Sequence, residues 1–142
     1  MYQYGVKSLS KLDSCHPSLK QVAIRALELS PYDITIVHGY RGEEVQNALF
    51  DRNASQKRFP DSKHNHTLPN GTPCSLAIDV APYVKGKIAW DDDLIFGVLA
   101  GVFMAAASEI GCKLRYGGDW DGDGLSKGDQ RFMDLGHLEL VV

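Results

Sequence analysis

The sequence is short of cysteine, of net charge and of long apolar runs, and each shortage excludes something. Its 142 residues include three cysteines, Cys15, Cys74 and Cys112. They lie far apart, are odd in number and form no C-x-x-C pair, which argues against a thiolate zinc site or a dithiol redox motif. Free, partly buried thiols in a reducing compartment are the expectation, with one disulfide and one unpaired cysteine as the alternative. A net charge of −3 gives no electrostatic pull toward nucleic acid. The first residues, Met-Tyr-Gln-Tyr-Gly-Val-Lys, lack the apolar run of a signal peptide. The longest apolar stretch, Leu94 to Ala107, is too short for a membrane span. A cytosolic product with no membrane insertion is expected.

Repeats and low-complexity tracts are also absent. What remains is a chain with 44% hydrophobic and 23% charged residues, the balance of a soluble globular protein. Its length suits one domain over residues 1–142 with a core of its own. Pro17 to Leu29 predicts a helix, with Pro17 at its first position and an apolar stripe of Leu19, Val22, Ala23, Ala26 and Leu27. Ile34 to Val37 alternates as a strand, and Glu43 to Phe50 forms a second helix. Arg52 to Pro73 is polar and rich in turn signals, so it predicts a long loop of the functional kind. Leu76 to Val80 is a strand that stops at Ala81-Pro82. Asp91-Asp92-Asp93 places negative charge at a helix N-terminus. Leu94, Ile95, Val98, Leu99, Val102, Phe103, Ala106 and Ile110 predict that helix's buried face, and Gly111 its end. Leu114 to Tyr116 and Leu138 to Val142 are strands, with a Gly/Asp-rich loop, Gly117 to Gly128, between them. This order predicts a small α+β domain with a mainly antiparallel sheet flanked by helices.

Five histidines are present: His16, His38, His64, His66 and His137. Two have suggestive company. Ser62-Lys63-His64-Asn65-His66 precedes Ala77-Ile78-Asp79 on a strand, and Asp134-Leu135-Gly136-His137 lies near the C-terminus. Two imidazoles and a carboxylate suit a catalytic zinc site, which keeps a fourth position open for water. Such a metal polarises a carbonyl and brings the pKa of water toward neutrality. A carboxylate must then carry the proton to the leaving amine. Asp134, three residues before His137, fits that role.

These segments resemble the D-Ala-D-Ala carboxypeptidase and L-alanyl-D-glutamate endopeptidase family of zinc enzymes, which includes small phage endolysins. Ser62-x-His64 and Ala77-x-Asp79 match the two ends of its S-x-H-x-x-G-x-A-x-D signature. Asp134-Leu135-Gly136-His137 matches its acid and last histidine, and Gly39-Tyr40-Arg41 its G-Y-R segment. Ala81-Pro82-Tyr83 and Arg115-Tyr116-Gly117-Gly118-Asp119-Trp120 extend the likeness along nearly the whole chain. The sequence departs from the signature in one respect. Fourteen residues separate His64 from Asp79, more than the signature holds, and Ser75 replaces its glycine. A loop insertion costs little closure entropy. It leaves His64 and His66 as competing ligands, and the Ser-Lys-His-Asn match favours His64.

The resemblance implies a D-Ala-D-Ala carboxypeptidase/Hedgehog-like zinc peptidase fold, zinc on His64, Asp79 and His137, Asp134 as general base, and Arg41 holding the oxyanion. A guanidinium suits that last task as a rigid, permanent cation. Gln46, a helical turn beyond Arg41, is a candidate substrate contact. Asp119-Trp120-Asp121-Gly122-Asp123-Gly124 fits the first half of a calcium loop. Its twelfth position is Gln130, beside Asp129, rather than Glu, and an acidic Gly-rich turn is the alternative.

The implied activity is that of a monomeric endolysin cleaving the L-alanyl–D-glutamate bond of peptidoglycan stem peptides in thin walls. It would wait in the host cytoplasm until released to the periplasm. The rivals are a D-Ala-D-Ala carboxypeptidase and a non-catalytic peptidoglycan-binding module on the same fold.

Overall fold

A computed structural model describes residues 1–125 and 133–142. Two helices open the chain, α1 (Val6–Asp13) and α2 (Pro17–Leu29). Pro17 sits in the first turn of α2, and His16 caps it, Nδ1 accepting from the Ser18 N–H at 3.1 Å. The sequence does not mark α1 because only Ser8 and Leu12 of it are buried, too few for an apolar stripe. Then follow β1 (Asp33–His38), α3 (Glu43–Asp51), a single 3-10 turn (Lys63–Asn65), β2 (Ala77–Val84), β3 (Lys87–Ile88), α4 (Asp93–Ile110), β4 (Leu114–Tyr116) and β5 (His137–Leu140).

The sheet runs β1-β2-β5-β4, with β3 beside the far end of β2, and every pairing is antiparallel. This is the expected α+β architecture. β2 runs past Pro82, where the sequence predicts a stop. β5 pairs only with residues 77 to 79 of β2, so the missing Pro82 N–H removes no bond to that strand. The Pro82 carbonyl still accepts from Ala89 N–H at 3.0 Å.

Strand alternation divides the sheet into two faces. Ile34, Ile36, Ile78, Val80, Leu138 and Leu140 join Leu19, Val22 and Ala26 of α2 and Leu99, Phe103 and Ala106 of α4 in one buried cluster. Truncating the fully buried Phe103 to Ala would cost about 3–5 kcal/mol. The opposite face carries Asp79, His137 and Glu139, all buried.

α4 differs from its predicted face. Phe96, Leu99, Ala100, Phe103, Ala106 and Ala107 are buried, whereas Leu94, Val98 and Ile110 are exposed. No charged residue lies between Asp93 and Glu109, so the helix is apolar all round and periodicity cannot choose its inner side. At 18 residues it is also long and apolar enough to cross a membrane by length and composition, which the shorter Leu94–Ala107 stretch does not suggest. Its ends follow the sequence: Asp92 Oδ1 accepts from Ile95 N–H at 3.2 Å, and Gly111 closes it at φ 88°. The cysteines are free, with Cys15 and Cys74 buried, and burial pushes the Cys15 thiol up to about 12.

Candidate metal centre and active site

Asp79 lies in the middle of a row of three strands. It pairs with His38 of β1 on one side and His137 of β5 on the other. Directly opposed residues in antiparallel strands bring their side chains together. His38 reaches this row through an irregularity in β1. Ile36 pairs with Val80, and the next pair is His38 with Asp79. The extra residue re-aims the chain, so Ile36 packs in the core while His38 meets Asp79.

His64 arrives on the 3-10 turn, which is fixed by a capping box. The Ser62 hydroxyl accepts from His64 N–H at 3.2 Å, and Asn65 Oδ1 accepts from Ser62 N–H at 3.0 Å. Its Nε2 stands 3.3 Å from Asp79 Oδ2 and 3.4 Å from His137 Nδ1, and His137 Nδ1 stands 3.1 Å from Asp79 Oδ1. Tetrahedral ligands about 2.0–2.1 Å from a metal are themselves spaced by about 3.3 Å. The three buried residues therefore fit a metal ion, and they form one of the groups able to hold one.

The outer atoms of the trio are also held. His64 Nδ1 lies 2.8 Å from the Gly39 carbonyl. A carbonyl only accepts, so Nδ1 carries the proton and Nε2 turns its lone pair inward. Gly39 is required there, since a Cβ would meet Lys11 O at 2.3 Å. His137 Nε2 lies 2.9 Å from Glu139 Oε1. Asp79 Oδ2 meets His38 Nδ1 at 3.2 Å and the Arg41 guanidinium. Burial alone would raise the Asp79 carboxyl, but the pull of His64 and hydrogen bonds from His137, His38 and His64 hold it well below the usual range. Burial would likewise lower the His137 ring, but its bonds to Asp79 and Glu139 raise it to about 9.

Asp134 and Arg41 share a cleft with His64 and His137 of the trio. Its walls also include Lys57, Lys63, Trp120 and Arg115. Burial and the Asp79 charge raise the Asp134 carboxyl. Gly117 places it: Asp134 N–H donates to Gly117 O at 3.0 Å, and a Cβ on Gly117 would meet Asp134 O at 2.1 Å. Arg41 is 8% exposed, and its Nε is buried with no hydrogen-bond partner among the described residues.

Gln46 does not match its expected place against substrate. It is fully buried and off the cleft wall. Its Oε1 accepts from Arg41 Nη1 at 3.4 Å and Asn65 Nδ2 at 3.3 Å, while its Nε2 donates to Lys57 O at 2.6 Å. It braces Arg41 from behind. His66 is exposed, its Nδ1 2.9 Å from Cys74 O. The 3-10 turn rotates it away from the trio, whereas an extended segment would have put it beside His64. The inserted residues fold onto themselves: Leu68 N–H donates to Thr72 O at 2.9 Å, Thr67 bridges Pro73, and Cys74 N–H returns to His66 O at 3.0 Å.

Asp119, Asp121 and Asp123 also converge within 4.8 Å. Asp119 Oδ2 accepts from Gly124 N–H at 2.9 Å, and its Oδ1 is buried with no partner among the described residues. Asp129 and Gln130, the far end of the candidate calcium loop, lie outside the described residues.

Two members of the site are missing from the sequence reading, His38 and Glu139. Glu139 could have been found, because a residue two beyond a strand ligand shares its face. His38 could not, since its place depends on the irregularity in β1.

Comparison with known proteins gives a consistent picture. The chain is 40% identical over 142 residues to the L-alanyl-D-glutamate peptidase of Escherichia phage T5, covering 99% of this chain and 98% of that protein. The crystal structure of the Serratia marcescens L-Ala D-Glu endopeptidase ChiX superposes with a TM-score of 0.75 at 24% identity, over 99% of this chain and 90% of that one. That likeness confirms the fold. Residues 1–141 match the family described as phage L-alanyl-D-glutamate peptidase, and the chain belongs to that family.

Proposed function

We propose that residues 1–142 act as one zinc peptidase domain that hydrolyses the L-alanyl–D-glutamate bond of peptidoglycan stem peptides, as a phage endolysin. The observation that carries this reading is the buried trio, spaced for a tetrahedral metal, with its two histidines in one cleft beside a carboxylate and a guanidinium. The activity named for the phage T5 relative supports the choice of bond.

His64 Nε2, Asp79 and His137 Nδ1 would hold the zinc. When bound, zinc supplies a Lewis acid that polarises the scissile carbonyl and acidifies water. Asp134 takes the proton of the attacking water and hands it to the leaving amine. Its raised carboxyl pKa brings it closer to the range where a base works near neutrality. Arg41, on the cleft wall, stabilises the charge that grows on the carbonyl oxygen through its permanent positive charge. Lys57, Lys63 and Arg115 on the cleft wall suit an acidic stem peptide. Asp119, Asp121 and Asp123 form a second, calcium site, which Asp119 Oδ1, without a partner among the described residues, supports. The protein acts as a monomer, without nucleic acid or membrane insertion. It stays in the host cytoplasm until release and then works on the wall in the periplasm.

Mass spectrometry of digested peptidoglycan tests this reading. New N-terminal D-glutamate, with glycan strands still bearing L-alanine, is expected. Free D-alanine would move the assignment to a carboxypeptidase, and new reducing ends to a glycosidase. Binding without any new product would leave the non-catalytic module.

A further inference from the structure

Glu139 has no part in the chemistry above, yet it is buried at 8% exposure. A buried carboxylate is costly unless paired. Both of its oxygens have partners. Oε1 lies 2.9 Å from His137 Nε2, and Oε2 lies 3.7 Å from Arg115 Nη1. The first partner shares its sheet face at i−2 on β5, and the second is its opposite residue on β4. Arg115 is itself anchored: its Nε donates to Trp120 O at 2.8 Å, and its guanidinium lies 5.0 Å over the Trp120 ring. Glu139 is thus gripped from one side while it grips His137 on the other.

A carboxylate accepts, so this contact keeps a proton on His137 Nε2 and makes Nδ1, which faces the trio, the nitrogen from which a metal displaces a proton. Nδ1 is the nitrogen that faces Asp79 Oδ1 and His64 Nε2. We propose that Glu139 is a positioning residue, which locks His137 in the Nδ1-ligating form and strengthens its hold on the metal. The proposal rests on the zinc reading above. Glu139 is not a second general base, because it contacts the ring nitrogen opposite the one that faces the trio. Asp134 stands on the Nδ1 side, at 3.9 Å. His64 donates the equivalent bond to a neutral carbonyl, that of Gly39. Glu139 supplies a charged acceptor, which also makes the imidazole a better donor to a metal.

The test is the zinc dissociation constant of the parent, Glu139→Gln and Glu139→Ala, measured by competition with a chromophoric chelator. The thermal midpoint of each metal-free protein is read alongside. Loss of such a partner typically weakens metal affinity by about 10–100-fold, and Glu139→Ala should fall in that range. Glu139→Gln keeps an acceptor but loses the charge and should fall between Glu139→Ala and the parent, at an unchanged metal-free midpoint. The Gln variant decides the matter if the Ala variant does not fold. Glu139→Gln binding zinc within about twofold of the parent, below the effect expected of such a partner, overturns the proposal alone. A parent that binds no zinc overturns the zinc reading and this proposal with it.

Discussion

The Asp134 carboxylate reaches to 3.9 Å from Nδ1 of His137, the same ring nitrogen that stands 3.1 Å from Asp79. Asp134 is close enough to serve the metal trio without belonging to it. Asp134→Ala should therefore keep its zinc and its fold and lose about 10²–10⁴-fold in turnover. Arg41→Ala should also keep zinc and lose about 10²–10³-fold if it serves the oxyanion. Zinc content and turnover are measured on the same sample. An Asp134→Ala protein that loses zinc and recovers with excess metal would make Asp134 an orienting partner of His137 instead.

Gln46 tests the difference between touching substrate and bracing a residue that does. It is fully buried between Arg41, Asn65 and the Lys57 carbonyl. Gln46→Ala strands several of these groups and should destabilise the fold by about 1–3 kcal/mol, read by denaturant titration. Turnover should fall as Arg41 loosens, with KM little changed. A large rise in KM at unchanged stability would restore Gln46 as a substrate contact.

The inserted loop tests how far the His64–Asp79 spacing can stretch. Thr67 and Pro73 already bridge, so replacing Leu68–Thr72 with Asn-Gly, a two-residue loop suited to an antiparallel pair, should leave His64 in place. Zinc content and thermal midpoint should stay close to the parent's. Loss of zinc would mean that the loop itself holds the first ligand.

The acidic loop predicts a calcium response. A ligand that binds only the folded state stabilises it, so calcium should raise the thermal midpoint. Asp121→Ala with Asp123→Ala should erase that rise. A parent that does not respond would leave an acidic turn with three converging carboxylates and no calcium role.

Much of this site can be read from the sequence, and what escapes has identifiable causes. His64, Asp79 and His137 stand out as residue types suited to zinc on predicted strand and loop positions, and Asp134 follows from its spacing to His137. The choice of His64 over His66 needs the 3-10 turn, because in an extended chain the two would share a face. His38 is hidden by one extra residue in β1, and no local pattern announces it. Gln46 lies at the right distance along the chain from Arg41 but on the wrong side of it, since spacing does not say which side of Arg41 is solvent. The α4 face fails for the opposite reason: with Leu94, Val98 and Ile110 exposed, its apolar pattern contains more than one stripe.

The central claim is that one zinc rests on His64, Asp79 and His137. Native mass spectrometry of the intact parent beside His64→Ala and His66→Ala counts the metal directly. One zinc is expected in the parent, one in His66→Ala and none in His64→Ala. Zinc retained by His64→Ala but lost from His66→Ala would contradict that claim.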